Sequence, residues 1–573
     1  MASLVRAIIW LGVLLSVGCS ALTPSQAPSA APPASTATAS HKTITVAVGN
    51  SIKGFSPWLI GTTAGGARAL YEIFTNGLVT NDATGNLAGR LAARMPSFDD
   101  GTIVVQPDGH MVTTWTLRPN IKWHDGVSFT ADDLVFSWQV NSDPAIPSPA
   151  SVSGPQIETV AAPDPLTLVI TWKGTFYRAL YLNFYEFWPY PEHLLGTTYA
   201  SDKDAFLDLP YWTTQYVQLG AFRVSDFGLG ENVVLEAFDD YFLGRPKVDT
   251  LIIRTIGDPN TMYANIKAGT VDIISEVALP TELNLRLRDE WQQDGGGTVV
   301  QRDGNWFFGN IQYNDQYQRV PAVAHDVRVR QGLLAGIDRP GLQAFSLPGL
   351  EGPSSDSFMP PFDPRAAAVG QPFARYPFDP AGALRALADA GWSKAPNGAL
   401  VTGAGEPVVI PLRSTAVSAP QMDVVAQDWR DLGLQVDEEL VPASLTSDRS
   451  FRATFPGVEV TAQMNGDQIL PRFDGRLCPE PPTFAGAQGG CYRNPALDRL
   501  IDQLYGTVDL QQQGAVLQDI GQLWADNVVM LPLYSSVTLA AVRKGVHALD
   551  DYTGVTMESA GQMSRNAHLW DID

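Results

Sequence analysis

A histidine and an aspartate stand side by side at His124 and Asp125, inside the run TWTLRPNIKWHDGVSFTADDLVFSW, Thr114 to Trp138. Such a pair could act as an acid-base dyad if a third group oriented the base and a nucleophile or substrate lay within hydrogen-bond reach. The chain supplies no recognisable nucleophile elbow, zincin helix or phosphate loop, and GLGENV (Gly228 to Val233) reads as a hairpin-like turn. The seven histidines, His41, His110, His124, His193, His325, His547 and His568, form no i, i+4 pair or other local ligand cluster. Catalysis at His124 would therefore have to recruit its partners from far away in the sequence.

The elements that hold the pair can be read locally. Met111 to Leu117 alternates like a strand, Pro119 and Gly126 punctuate a turn, and Thr130 caps a helix bearing Leu134 and Trp138 on one side. Asp132 and Asp133 then fall in the first helical turn, where negative charge suits the free backbone NH groups. The same grammar recurs along the chain. Asp258-Pro259 opens a helix that stops at Gly269, Asp379-Pro380 opens one that stops at Gly391, and Asn494-Pro495 precedes Leu497, Leu500, Ile501 and Leu504 at helical spacing. Strands alternate with these helices at Lys42 to Val48, Leu166 to Trp172, Glu231 to Phe238 and Asp249 to Ile256. The pattern predicts a mixed α/β chain of several layers.

At 573 residues the chain exceeds what one core usually organises, so at least two lobes are expected. Sixty acidic against 38 basic residues give a net charge of -22, which repels phosphate backbones and excludes nucleic acid as an expected partner. The N-terminus, MASLVRAIIWLGVLLSVGC, carries one basic residue, an apolar run too short to span a bilayer comfortably, then Gly18 before Cys19. It reads as an export signal over residues 1–19. Its end resembles a bacterial lipobox, in which Cys19 would be lipidated and become the first mature residue; an ordinary signal peptide with a chance cysteine is the rival. Residues 20–41, small and Pro-rich, bury no core and read as a flexible tether. The two remaining cysteines, Cys478 and Cys491, bracket a Pro/Gly-rich stretch, and in an exported chain they read as one disulfide, with a metal site as the alternative.

Several segments, in fixed order, resemble the family 5 solute-binding proteins of ABC transporters, the peptide- and nickel-binding group. LRPNIKWHDGVSFTADDLVFSW is the clearest, followed by YEIFTNGLVTNDATGNLAGRLAARM (Tyr71 to Met95), Leu219 to Ile273, HDVRVRQGLLAGIDR (His325 to Arg339), FDPAGALRALADAGW (Phe378 to Trp392) and MLPLYSSVTLAAVRKGVHAL. The resemblance runs from about Lys42 to the C-terminus. It implies a two-lobed α/β clamshell of the periplasmic-binding type, with an extra subdomain in the first lobe. Lobe I would span residues 42–302, lobe II residues 303–534, and residues 535–573 would return to lobe I. The crossings would lie near Gln301 to Asn310 and Met530 to Ser535, with ligand between the lobes. In that family the HDG turn is scaffold, which makes His124-Asp125 an expected scaffold element and the protein a binder, not an enzyme.

The resemblance also nominates a site. Trp58 and Thr62 lie in the loop after the first strand; Asn305, Trp306 and Phe307 lie at the first crossing; Ser354 lies in EGPSSDSF. A peptide buried between lobes needs a carboxylate facing its ammonium. The segment that carries this acid in peptide-binding relatives corresponds to VEVTAQMNGDQILPRFDG, Val458 to Gly475, which places Met464, Asn465 and Asp467 at the site and Asp474 as second acid. For each aromatic, packing in the core is the competing role. The implied function is capture of di- or oligopeptides outside the cytoplasm by a monomeric, membrane-tethered protein that delivers them to an ABC permease without a cofactor. A clamshell that binds a carbohydrate, lipid headgroup or protein without transport, and a hydrolase, are the alternatives.

Overall fold

Ile44, Val46 and Val48 alternate with smaller residues, so Thr43–Val48 buries its side chains as a strand (β1) between two others. A computed structural model describes residues 41–573 apart from 61–65, 83–85, 148–151, 229–231, 362, 447, 483, 485, 487–488, 548 and 550–561. The nominated Cys19 and Thr62, the leader, and the tether up to residue 40 lie outside the described residues.

Around β1 runs a ten-stranded sheet. Its other strands are β2 (Phe222–Phe227), β3 (Asn232–Ala237), β4 (Thr250–Thr255), β5 (Ile273–Ile274), β6 (Gly297–Ile311), β7 (Val409–Ser414), β8 (Gln435–Leu440), β9 (Val458–Met464) and β10 (Met530–Arg543). In space the order is β8-β7-β9-β6-β10-β5-β1-β4-β3-β2. The two long central strands, β6 and β10, are antiparallel partners along most of their lengths. The early half of β6 pairs only with β10, whereas Asn305 to Ile311 also pairs with β9. Register shifts fall between Asp303 and Trp306 and between Phe307 and Phe308, which bends the strand pair at mid-sheet.

A second, five-stranded sheet between residues 92 and 172 includes the strand Met111–Leu117, paired antiparallel with Thr167–Trp172. Its core-facing Met111, Thr113, Trp115 and Leu117 alternate with half-buried neighbours, as a one-sided sheet requires. Helix Ala131–Ser142 packs on it, and Thr130 forms a capping box with Asp133: the Thr130 NH donates to Asp133 Oδ2 at 2.9 Å. Asp133 is not a solvated surface charge. It is buried, also accepts from Trp123 Nε1, and desolvation raises its pKa.

Most of the apolar interior gathers in two large clusters. One joins the five-stranded sheet to residues between Trp306 and Tyr534; the other collects β1, β3 and β4 with residues 52–74 and 184–222. Among the described residues eight tryptophans are less than 2 % exposed. At roughly 25 cal/mol per Å² of apolar surface, such rings are core first, and any ligand contact is a second role.

Candidate functional site

Burial decides the role of the His124-Asp125 turn. His124 Nδ1 accepts from the Gln218 NH at 3.2 Å while Nε2–H donates to Gly220 O at 3.0 Å, which fixes the neutral Nε2–H tautomer. Burial holds its pKa down at about 4. Asp125 turns away and accepts from His193 Nε2 at 2.7 Å. His124 therefore staples one turn to the segment before β2 and has no free lone pair for proton transfer.

The bend of β6 and β10 brings most of the nominated residues together. Trp306 lies opposite Ser535 on β10 and Gln463 on β9, is fully buried, and donates from Nε1 to Ser355 O at 3.1 Å. Phe307 lies opposite Tyr534, and the two rings stack 4.5 Å apart. Asn305 pairs with Met464 across the ladder, and its NH donates to Ser536 Oγ at 2.8 Å. The Gly466 NH donates to Phe358 O at 2.7 Å, which draws the segment after β9 against the 352–358 loop.

Among the described residues, three polar oxygens at this bend are buried without a hydrogen-bond partner: Asn305 Oδ1, Asn465 Oδ1 and Ser535 Oγ. Buried polar atoms almost always find partners, and leaving one orphaned costs about 1–3 kcal/mol. Orphaned atoms of this kind also occur elsewhere among the described residues, at Ser56, Thr75 and Asn76 for example, so these three make the bend a candidate site without singling it out. Nearby, Glu276 and Arg302 form a buried ion pair, Arg302 Nε donates to Thr538 Oγ1 at 3.1 Å, and Glu276 Oε1 is left without a partner.

Asp467 sits two residues beyond Asn465 and is 1 % exposed. Arg178 Nη1 donates to its Oδ1 at 2.8 Å and Arg365 Nη1 to its Oδ2 at 2.8 Å. Arg365 is held in turn by both oxygens of Asp363, at 2.9 and 2.7 Å, and by Gln513 Oε1 at 2.9 Å. Burial alone would raise the Asp467 pKa, but Arg365 and Arg178 outweigh it and hold the carboxyl below its usual range. The Arg178 guanidinium lies 4.7 Å from the Tyr181 ring centre, and Tyr177 stacks on Tyr505 at 5.1 Å.

The other nominated residues fall elsewhere. Trp58 is half-buried and packs edge-on to Trp212 at 4.6 Å, in the apolar cluster of β1. Ser354 is exposed, and its Oγ accepts from the Asp356 NH; it is the carbonyl of the next residue that reaches Trp306. Asp474 is engaged by Arg476 at 2.7 Å. Cys478 and Cys491 are joined in a disulfide, and among the described residues no group of three His, Cys, Asp or Glu is placed to hold a metal.

Sequence reasoning did not nominate Arg178, Arg365 or Ser535. For Arg178 a signal existed: it is the one charge in the apolar and aromatic run GTFYRALYLNFY, and a cation there must be buried against an anion. Nothing local marks Ser535.

Known proteins share the family and the fold of this chain. An ABC transporter peptide-binding protein by name, from Brucella ovis, is 26% identical over 492 residues, covering 81% of this chain and 83% of its own. The oligopeptide-binding protein of Thermus thermophilus, solved with a pentapeptide, superposes with a TM-score of 0.70 at 20% identity over 92% of this chain and 96% of that one. NikA of Brucella suis, solved with Fe(III)-EDTA, superposes with a TM-score of 0.71 at 18% identity over 93% and 100%. The fold shared with these structures is the two-lobed α/β clamshell. Residues 91–467 match the bacterial extracellular solute-binding proteins, family 5 Middle, so the chain belongs to that family, the substrate-binding proteins of ABC transporters, and is a binder and not an enzyme.

Proposed function

We propose that the protein captures peptides at the bend of β6 and β10 and delivers them to an ABC permease. The observation that carries this reading is the set of three buried, unpartnered oxygens, Asn305 Oδ1, Asn465 Oδ1 and Ser535 Oγ, beside a fully buried Trp306. Side-chain amides offer both a donor and an acceptor, and a hydroxyl does the same, which is what a peptide main chain requires from a cleft. The peptide-binding names among the relatives support the same class.

In this reading the lobes are residues 42–302 with 535–573, and residues 303–534, hinged where the register of β6 and β10 shifts. Ligand touches both lobes only when they close, so its differential affinity draws the population to the closed form. Export by residues 1–19 and lipidation at Cys19 would keep the protein at the outer face of the membrane, next to its permease. Retention of membrane attachment in Cys19→Ser would remove the anchor from the proposal.

The test is native mass spectrometry of the purified protein, followed by thermal unfolding with a defined peptide library. Co-purified peptides are expected, and a peptide at 100 times its Kd should add about 2.7 kcal/mol of stability. A cleft occupied by a glycan or metal chelate, with no peptide stabilising the protein, would overturn the assignment.

A further inference from the structure

Glu459 on β9 is 2 % exposed and lies between two arginines. Arg413, its neighbour across the ladder on β7, donates from Nε and Nη2 to Glu459 Oε2 at 3.0 and 2.8 Å, and Arg452 Nη2 reaches Oε1. A third arginine, Arg472, is half-buried and stands close enough to interact with the charges of Glu459 and Arg452. Among the described residues its side chain donates no hydrogen bond and joins no ion pair. Arg452 Nε is also buried without a partner. The other acid beside the cluster, exposed Glu439 on β8, flanks Arg413. Three guanidinium groups thus face two carboxylates, and the cation left over is Arg472.

The usual solution for a buried arginine is visible elsewhere in the chain. Arg178, Arg339 and Arg365 meet carboxylates, and Arg330, which meets none, donates to the carbonyls of Ala324 and Asn527. Arg472 has neither, and burial draws its pKa down to about 10, with Glu459 offsetting only part of that and Arg452 adding to it. Its backbone is held in place: Phe473 packs on Trp524 at 4.8 Å, and a Cβ at Gly489 of the disulfide loop would lie 2.1 Å from Arg472 O.

We infer that Arg472 and Arg452 form a binding site for one oxyanion group, a carboxylate or a phosphate. Both groups offer the paired oxygens that a planar guanidinium fork takes up, and either would neutralise the excess cation. The site does not depend on the peptide reading. Glu459 is five residues from Met464 along β9, which on an extended strand puts it about 16 Å from the bend of β6 and β10.

Calorimetric titration with inorganic phosphate and, separately, with acetate, each against chloride at equal ionic strength, tests the site. At least one of the two is expected to bind the unaltered protein, to bind Arg472→Met at least about tenfold more weakly, and to bind Arg385→Met unchanged, since the Arg385 side chain is 71 % exposed. The ion that binds more tightly names the source, phosphate groups or carboxylates. Thermal unfolding gives a second readout. In chloride alone Arg472→Met is expected to equal or exceed the unaltered protein in stability, because it removes an uncompensated cation, and saturating oxyanion is expected to reverse that order. An arginine with a merely structural role would lower stability in both media when replaced. Binding of neither ion, binding undiminished in Arg472→Met, or an Arg472→Met protein that is less stable or unfolded in chloride overturns the inference.

Discussion

Arg178 Nη1 and Asp467 Oδ1 lie 2.8 Å apart although 289 residues separate them, and both side chains are at most 3 % exposed. The pair therefore joins a segment that leaves the five-stranded sheet to the one that follows β9, directly beside the candidate site. Removing one partner leaves a buried charge uncompensated, which costs about 3–5 kcal/mol. Arg178→Met and Asp467→Leu should each lower stability by that order, whereas the double variant should lose less than the sum, because Arg365 keeps Asp363 as its counter-ion. Urea denaturation of the four proteins of this cycle measures the coupling; strict additivity would show that the ion pair contributes nothing.

His124 predicts a pH dependence. Its folded pKa, about 4, lies below its ordinary value near 6.5 because the buried imidazole resists protonation. The unfolded chain thus binds the extra proton first, and stability should be lost as pH falls from about 6.5 towards 4, by up to about 3 kcal/mol. Glu72 works in the opposite direction: burial raises its pKa from 4.5 to about 7, so its contribution is lost as pH rises through that interval. Comparing His124→Gln with the unaltered protein cancels Glu72, and the variant should show the flatter acid limb in urea titrations between about pH 4 and 7.

The disulfide closes a 13-residue separation, and the loop it encloses is anchored on the end of β6, where the Tyr313 NH donates to Gly490 O at 2.6 Å. Chain-entropy arguments assign such a bridge about 3 kcal/mol. Replacing both cysteines by serine should lower the unfolding free energy by that order and speed amide exchange of Tyr313, while thiol reagents should find no free cysteine here in the unreduced protein.

Gly220 should tolerate no side chain. Its NH donates to Phe74 O at 2.8 Å, its carbonyl receives His124 Nε2–H, and a Cβ would overlap Ile73 O and the Phe74 carbonyl. Gly220→Ala should cost about 3 kcal/mol by forcing the two segments apart, whereas Gly126→Ala in the neighbouring turn meets open space and should lose only the smaller strain of its positive φ, 89°. Thermal unfolding of the two variants separates steric overlap from backbone strain.

Much of the local architecture was legible in the residues. Asp258, Asp379 and Asn494 cap helices as their Pro-containing starts imply, each accepting from a backbone NH of the first turn. The alternation in Met111 to Leu117 gives the strand found there. These signals are legible because capping and alternation involve neighbours within about four residues. The aromatics divided less cleanly: Trp306 reaches the bend of the long strands, while Trp58 stays in the packing around Trp212, and nothing in either local sequence distinguishes the two.

The sequence alone determined the family, the mixed α/β layering, the absence of local catalytic or metal-binding motifs, and the segments from which a site could be built. Only the tertiary structure decided the charge state of that site. Asp467 reads in the chain as a free acid, and it becomes a neutralised one because Arg178 and Arg365, 289 and 102 positions away, are brought to its two oxygens. Electrostatic pairing in a buried environment depends on distances of a few ångströms and on exclusion of water, and both arise only when remote segments pack.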